Sequence, residues 1–85
     1  MKNYIITYDL NKEGQDYTTL INIIKTYYHK HPLYSVWFIK SDKTSAEITN
    51  ELLKYIDQND RLFVSEITNN RNWFLEQEYW DFLNS

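Results

Sequence analysis

Apolar side chains recur with two different periods along this chain. The segments 3–9 and 33–40 are β-branched and aromatic, and both of their alternating faces are largely apolar. Strands of this kind lie inside a sheet that is covered on both sides. We therefore predict buried strands at 3–9 and 33–40, the second of them central, and a third strand at 61–68.

Two further segments have the spacing of helices. The first follows the only glycine and is expected to stop at Pro32, with basic side chains gathered near its end. Its apolar positions are Leu20, Ile23, Ile24, Tyr27 and Tyr28, and the basic ones are Lys25, His29, Lys30 and His31. The second helix is predicted to begin at Thr44, because Thr44 and Glu47 have the spacing of a capping box. Its apolar stripe is Ile48, Leu52, Tyr55 and Ile56.

The end of the chain is an aromatic tail interrupted by acidic residues. A polar connector at 69–72 precedes it, and the spacing of its apolar residues predicts a short helix. The order β-α-β-α-β predicts a ferredoxin-like α+β fold with both helices on one face of the sheet. A chain of 85 residues cannot divide its apolar residues between two cores. We therefore expect one domain at 1–85, with a core at 1–68 and the tail at 69–85.

The second face of this sheet is predicted to carry large apolar side chains without a helix to cover it. A large uncovered apolar patch is unusual on a monomer. We expect the tail, a second copy of the chain, or both to cover this face. The candidate interface residues are Tyr4, Ile6, Tyr8, Tyr34, Val36, Phe38, Trp73, Trp80 and Phe82.

Composition and charge narrow the classes of function. The net charge of −3 has the wrong sign for a protein that mainly neutralises a phosphate backbone, so nucleic-acid binding is disfavoured. The chain has no cysteine, and it begins with an apolar alternating run where a secretory signal would be basic, so we expect a cytoplasmic protein. The apolar stretches are far shorter than the roughly 20 residues that span a bilayer. A single glycine and the absence of a glycine-framed serine argue against phosphate-cradling loops and serine nucleophiles.

The order of these features resembles that of the small CRISPR-associated, Cas-two-like proteins. In that family a first strand ends in an aspartate, as it does here at Asp9, and two helices alternate with the later strands. The chain also resembles short bacterial and phage proteins grouped under the SinR name, over roughly residues 3–68. That second resemblance is carried by Tyr8, Asp9, Leu10, Asn11, Gly14, Asp16, Ser35, Trp37, Ile39 and Lys40.

The resemblance implies a ferredoxin-like homodimer and directs attention to Asp9. In the CRISPR-associated family the matching aspartate lies near the dimer axis, where two copies can share Mg²⁺ or Mn²⁺ and have been proposed to activate water for phosphodiester cleavage. The residues themselves leave a second interpretation open, in which Asp9 ends the strand and caps the turn through Leu10 and Asn11. His29 and His31 lack the cysteine or third histidine of a zinc site and are interpreted as helix-end residues.

Three functions are compatible with these observations. The first is a dimeric interaction or scaffold protein of bacterial or phage origin, without classical catalysis, which binds a protein partner. The second is a metal-dependent nuclease that uses Asp9, and the third is a protein that binds a nucleotide or cyclic nucleotide in a dimer cleft lined by Tyr and Trp.

Overall fold

The computed structural model describes residues 1–11 and 17–85, which form a four-stranded antiparallel sheet and three α-helices. The strands are β1 (Lys2–Asp9), β2 (Tyr28–Leu33), β3 (Val36–Ser41) and β4 (Arg61–Glu66), in the sheet order β2-β3-β1-β4. The helices are α1 (Thr18–Lys25), α2 (Ser45–Leu52) and α3 (Gln77–Asn84), and a 3₁₀ turn at Leu53–Tyr55 follows α2. Two split β-α-β units that interleave in this way make the ferredoxin-like fold, so the predicted fold class is confirmed. None of the helices in the described residues is long and apolar enough to cross a bilayer.

Helices α1 and α2 bury one face of the sheet, which we call the helix side. The capping box at the start of α2 is formed as predicted, because the Glu47 N–H donates to Thr44 Oγ1 at 3.1 Å and the Thr44 N–H donates to Glu47 Oε1 at 2.9 Å. The core between helices and sheet consists of Tyr4, Ile6, Leu20, Ile24, Trp37, Ile39, Ile48 and Leu52. The predicted helical periods therefore identified its helix-borne members correctly.

The predicted extent of the first helix is wrong, because α1 ends at Lys25 and a strand follows it. The Thr26 hydroxyl donates to the Ile23 carbonyl at 2.6 Å and closes the helix. The segment predicted as the basic helix end, with His29, Lys30 and His31, is strand β2, which pairs with β3 as a hairpin. Pro32 is accommodated because β2 is an edge strand, where a missing N–H group need not break a bond of the ladder.

The tail covers much of the second face of the sheet, which we call the tail side. Phe82 and Leu83 of α3 are buried there against Phe38, and the Phe82 ring stacks on Tyr28 with its centroid 5.4 Å away. Partly buried side chains complete this second core: Ile5, Val36, Ile67, Trp73, Leu75 and Tyr79. The prediction that the tail forms a helix is confirmed, and in this chain the tail covers its own sheet.

Polar side chains fix the tail on the sheet. Asn3 Nδ2 donates to the Leu83 carbonyl at 2.8 Å, and the buried Lys40 Nζ donates to Asn3 Oδ1 at 2.7 Å and to the Ser85 carbonyl at 3.3 Å. Burial lowers the pKa of Lys40, and the charge of the nearby Arg71 lowers it further. Because these bonds join the tail to β1 and β3, they help to determine where α3 lies on the sheet.

The register shows that the candidate interface residues lie on opposite faces. Tyr4 and Ile6 of β1 stand opposite Ile39 and Trp37 of β3, so these side chains share the helix side. Val36 and Phe38, with the other parity, share the tail side with Ile5. Tyr4 and Ile6 are buried beneath the helices and leave no side-chain surface for a partner.

Candidate functional site

Asp9 is the last residue of β1, and its side chain is exposed at one end of the sheet. Its cross-strand neighbour is Arg61, the first residue of β4. Alternation along β1 gives Asp9 the same face as Ile5 and Thr7, which is the tail side. Gly14 and Asp16, which carry part of the resemblance, lie outside the described residues.

A row of three apolar side chains and Thr7 crosses all four strands next to Asp9. The register places Leu33 beside Val36, Val36 beside Thr7, and Thr7 beside Phe63, all on the tail side. Leu33 and Phe63 end the row, and both are exposed, with 61% of the Phe63 surface accessible. We call these four residues the open row, because the tail does not bury its ends. Such a row at a sheet end is suited to contact with another molecule.

The turn after β1 is held by Asp60 and not by the Asp9 carboxylate. Asp60 Oδ1 accepts the Asn11 N–H at 2.8 Å and the Tyr17 hydroxyl at 2.7 Å, and Asp60 Oδ2 accepts the Asp57 N–H at 2.7 Å. Asp60 is buried, so these bonds offset the loss of its hydration. They tie the end of β1 and the start of α1 to the turn before β4. Sequence reasoning missed this role, because the Asn11 and Tyr17 partners of Asp60 are far away along the chain.

One chain does not supply a complete metal site within the described residues. They contain no group of three or more His, Asp or Glu side chains that could hold a metal ion. The Asp9 carboxylate accepts no hydrogen bond from the described part of the chain. Hard cations such as Mg²⁺ bind oxygen ligands. Asp9 fits such an ion only as one contributor to a larger site.

The two histidines lie beside the Trp37 ring instead of at a helix end. The His31 ring stacks on Trp37 at 3.7 Å between centroids and 10° between planes, and its Nε2 donates to the Tyr34 carbonyl at 2.9 Å. His29 lies 5.6 Å from the same ring, and its Nδ1 donates to the Tyr27 carbonyl at 2.9 Å. Both rings are therefore held in place by contacts within the hairpin.

A cleft of about 540 Å³ opens on the helix side, between α1 and the β2–β3 hairpin. Seven of the residues that line it carry an aromatic ring or a charge: Tyr8, Asp9, Tyr17, Lys25, His31, Tyr34 and Trp37. Asp9 thus borders both this cleft and the open row.

The aromatic residues predicted as interface anchors have different positions. In the tail, Trp73 and Trp80 stack on each other at 4.0 Å, and Trp73 and Phe82 pack on the chain's own sheet. Tyr34 is 93% exposed at the tip of the β2–β3 hairpin. Tyr8 faces the helix side, where its hydroxyl accepts the Trp37 Nε1–H at 3.0 Å. Of the predicted set, Tyr34 leaves the most surface for a partner.

Comparison with known proteins gives one family match. A family model described as CRISPR associated protein Cas2 matches residues 1–73. The match includes all four strands, α1 and α2, and it ends before α3. No solved structure matches the chain.

Proposed function

Because the chain belongs to the CRISPR associated protein Cas2 family, we propose that it is a small dimeric scaffold in which two copies meet across the open row. The observation that carries this proposal is the exposed apolar end of the sheet at Leu33 and Phe63. A two-fold axis through the row pairs each apolar side chain with the same surface of the second copy. A chain of this length also gains stability from a partner subunit, since its own core is small.

The dimer is tested with a matched pair of lysine substitutions. Phe63→Lys introduces a charge into the open row, whereas Leu53→Lys introduces the same charge at a side chain on the helix side that is 50% exposed. In a two-fold symmetric dimer each copy contributes one Phe63, so the substitution removes two buried side chains. Phe63→Lys is therefore expected to weaken dimerisation by more than roughly tenfold. Analytical ultracentrifugation over a range of concentrations measures this effect. A wild-type monomer at high concentration, or equal effects of the two substitutions, would contradict the proposal.

The partner of this scaffold is proposed to be a protein with a basic surface. The net charge is −3, and the tail adds Glu76, Glu78 and Asp81 to a surface from which the Phe74 ring projects fully exposed. An exposed aromatic ring among acidic groups is a suitable anchor for a basic protein segment. Binding that falls with salt and with Phe74→Ser supports this. If the chain binds DNA at physiological salt more tightly than it binds any protein, the proposal of a basic protein partner is contradicted.

A second candidate, metal-dependent phosphodiester cleavage, is favoured by the position of Asp9. Asp9 shares the tail side with the open row, so a dimer across that row brings two exposed carboxylates towards each other. Mg²⁺ is commonly bound through one or two carboxylates and retains several waters. Two Asp9 side chains would supply such a pair of oxygen ligands, and the ion would supply a Lewis acid and an activated water.

Asp9→Asn distinguishes the two candidates. The substitution keeps the shape of the side chain and removes its charge, and Asp42→Asn provides a control at another exposed aspartate. If Asp9 holds a metal, nuclease activity in Mg²⁺ or Mn²⁺ falls with Asp9→Asn alone, and the Mn²⁺ affinity falls with it. Equal activity in both variants excludes Asp9 as the metal ligand of a nuclease, and dimerisation in the Asp9 variant remains a separate test of the scaffold.

A further inference from the structure

The cleft between α1 and the β2–β3 hairpin combines fixed aromatic surfaces with a few polar groups. Trp37 is buried at its base, and His31 lies flat against the Trp37 ring. The Tyr17 hydroxyl donates to Asp60, which fixes the position of the Tyr17 ring on the α1 side. Tyr34 stands 93% exposed at the mouth of the cleft. A flat ring that enters the cleft thus meets several aromatic side chains of its lining.

Two polar groups of the cleft can bond to a ligand. Lys25, the last residue of α1, forms no ion pair with a described residue, and its ammonium group can bind an anion. The Tyr8 hydroxyl accepts the Trp37 Nε1–H at 3.0 Å, so its own proton is available to a ligand. The cleft therefore offers an anion site and a hydrogen-bond donor among aromatic rings.

From this arrangement we propose that the cleft binds a mononucleotide, with the base against the aromatic groups and the phosphate at Lys25. The volume of about 540 Å³ lies within the range of small-molecule sites, roughly 300–1,000 Å³. A purely apolar ligand leaves Lys25 and the Tyr8 hydroxyl unused. A longer nucleic acid brings further phosphates to a cleft whose described lining holds a single lysine. One base with one phosphate uses both groups.

This site does not depend on dimerisation. The cleft lies on the helix side and is lined by residues of one chain, whereas the open row lies on the tail side. Phe63→Lys is therefore expected to leave nucleotide affinity unchanged even where it abolishes the dimer. If the nucleotide instead bound between two copies, Phe63→Lys would abolish nucleotide binding together with the dimer.

The test is calorimetric titration with adenosine, guanosine, cytidine and uridine 5′-monophosphates. For the nucleotide that binds best, Tyr34→Ala is expected to weaken binding roughly fivefold or more, since stacking on one aromatic ring contributes that much. Lys25→Gln is expected to weaken binding roughly threefold to tenfold through loss of a charge-assisted bond. Lys54→Gln, at an exposed lysine outside the cleft, is the matched control and should change nothing.

Two partial ligands separate the two halves of the proposed site. The matching nucleoside lacks the phosphate, so Lys25→Gln should not alter its weaker binding. Inorganic phosphate lacks the base, so Tyr34→Ala should not alter its binding. The proposal is overturned if none of the four nucleotides binds at millimolar concentration, if Lys25→Gln and Tyr34→Ala bind as tightly as wild type, or if Phe63→Lys abolishes binding. Both cleft substitutions are at exposed side chains, and circular dichroism verifies that the variants fold.

Discussion

Phe82→Ala tests whether the tail is an integral layer of this fold. Phe82 is 6% exposed, its ring stacks on Tyr28, and Lys40 Nζ lies 5.0 Å above the ring centroid. Truncation of a buried phenylalanine to alanine lowers the free energy of unfolding by about 3–5 kcal/mol where the cavity persists. The Tyr28 ring is itself exposed, so α3 can move to reduce the cavity. We therefore expect a loss near the lower end, about 3 kcal/mol.

The assay is urea unfolding followed by circular dichroism and tryptophan fluorescence. Two of the three tryptophans, Trp73 and Trp80, are stacked in the tail, so fluorescence is weighted towards its packing, while the far-ultraviolet signal reports on the whole fold. Measurements at several protein concentrations separate the loss of tail packing from any change in dimerisation.

Phe74→Ala is the matched control, because it removes the same side chain from the same tail at a fully exposed position. Its effect on the free energy of unfolding is expected to stay within about 0.5 kcal/mol. Equal effects of Phe74→Ala and Phe82→Ala, or a loss below about 0.5 kcal/mol for Phe82→Ala, would refute the view that burial of Phe82 holds the tail.

Three other predictions concern the rest of the molecule. Asp60→Asn is expected to lower the free energy of unfolding by about 2 kcal/mol, because the carboxylate accepts the Asn11 N–H and the Tyr17 hydroxyl. Chemical denaturation measures this loss, and an unchanged denaturation midpoint would contradict the prediction. The hydrogen bond from the Thr44 N–H holds the pKa of Glu47 below its ordinary value, so its stabilisation is complete above that ordinary pKa and is lost as pH falls through the lowered one. The melting temperature of wild type should therefore fall in acid relative to that of Glu47→Gln, and parallel pH profiles would show that the capping box does not contribute. Removal of the tail is expected to cause self-association, seen by light scattering, because it uncovers the apolar tail side; a tail-less monomer would be the opposite result.

Local signals in the sequence predicted the elements whose ends are set locally. The capping box at Thr44 and Glu47 marks the start of α2 correctly, since both partners lie within one turn. The boundary between α1 and β2 was not predictable in this way, because the spacing of Tyr27 and Tyr28 suits a helix as well as a strand. Pairing with β3 decides the matter, and that pairing is not visible in the segment itself.

Of the candidate site, the sequence predicted only the position of Asp9. The position of Asp9 at the end of a strand follows from the alternation that precedes it. The open row, in contrast, depends on four strands in register, and the Asp60 bonds join residues 49 and 43 positions apart. Alternation along a strand shows which side chains share a face, but whether that face is the helix side or the tail side depends on the neighbouring strands. The set of candidate interface residues therefore combined side chains from both faces of the sheet.

The sequence by itself determined that this chain forms a ferredoxin-like sheet with more apolar surface than two helices can cover. The reason is that the apolar residues on both alternating faces of each strand are visible in the sequence of that strand. Only the tertiary structure decided what covers this apolar surface. The tail folds back over the tail side, since Phe82 and Leu83 find apolar partners there and Asn3 and Lys40 bond to its end. Among the described residues, Leu33 and Phe63 at the ends of the open row stay exposed, and the position of the row results from long-range strand register, which no local pattern specifies.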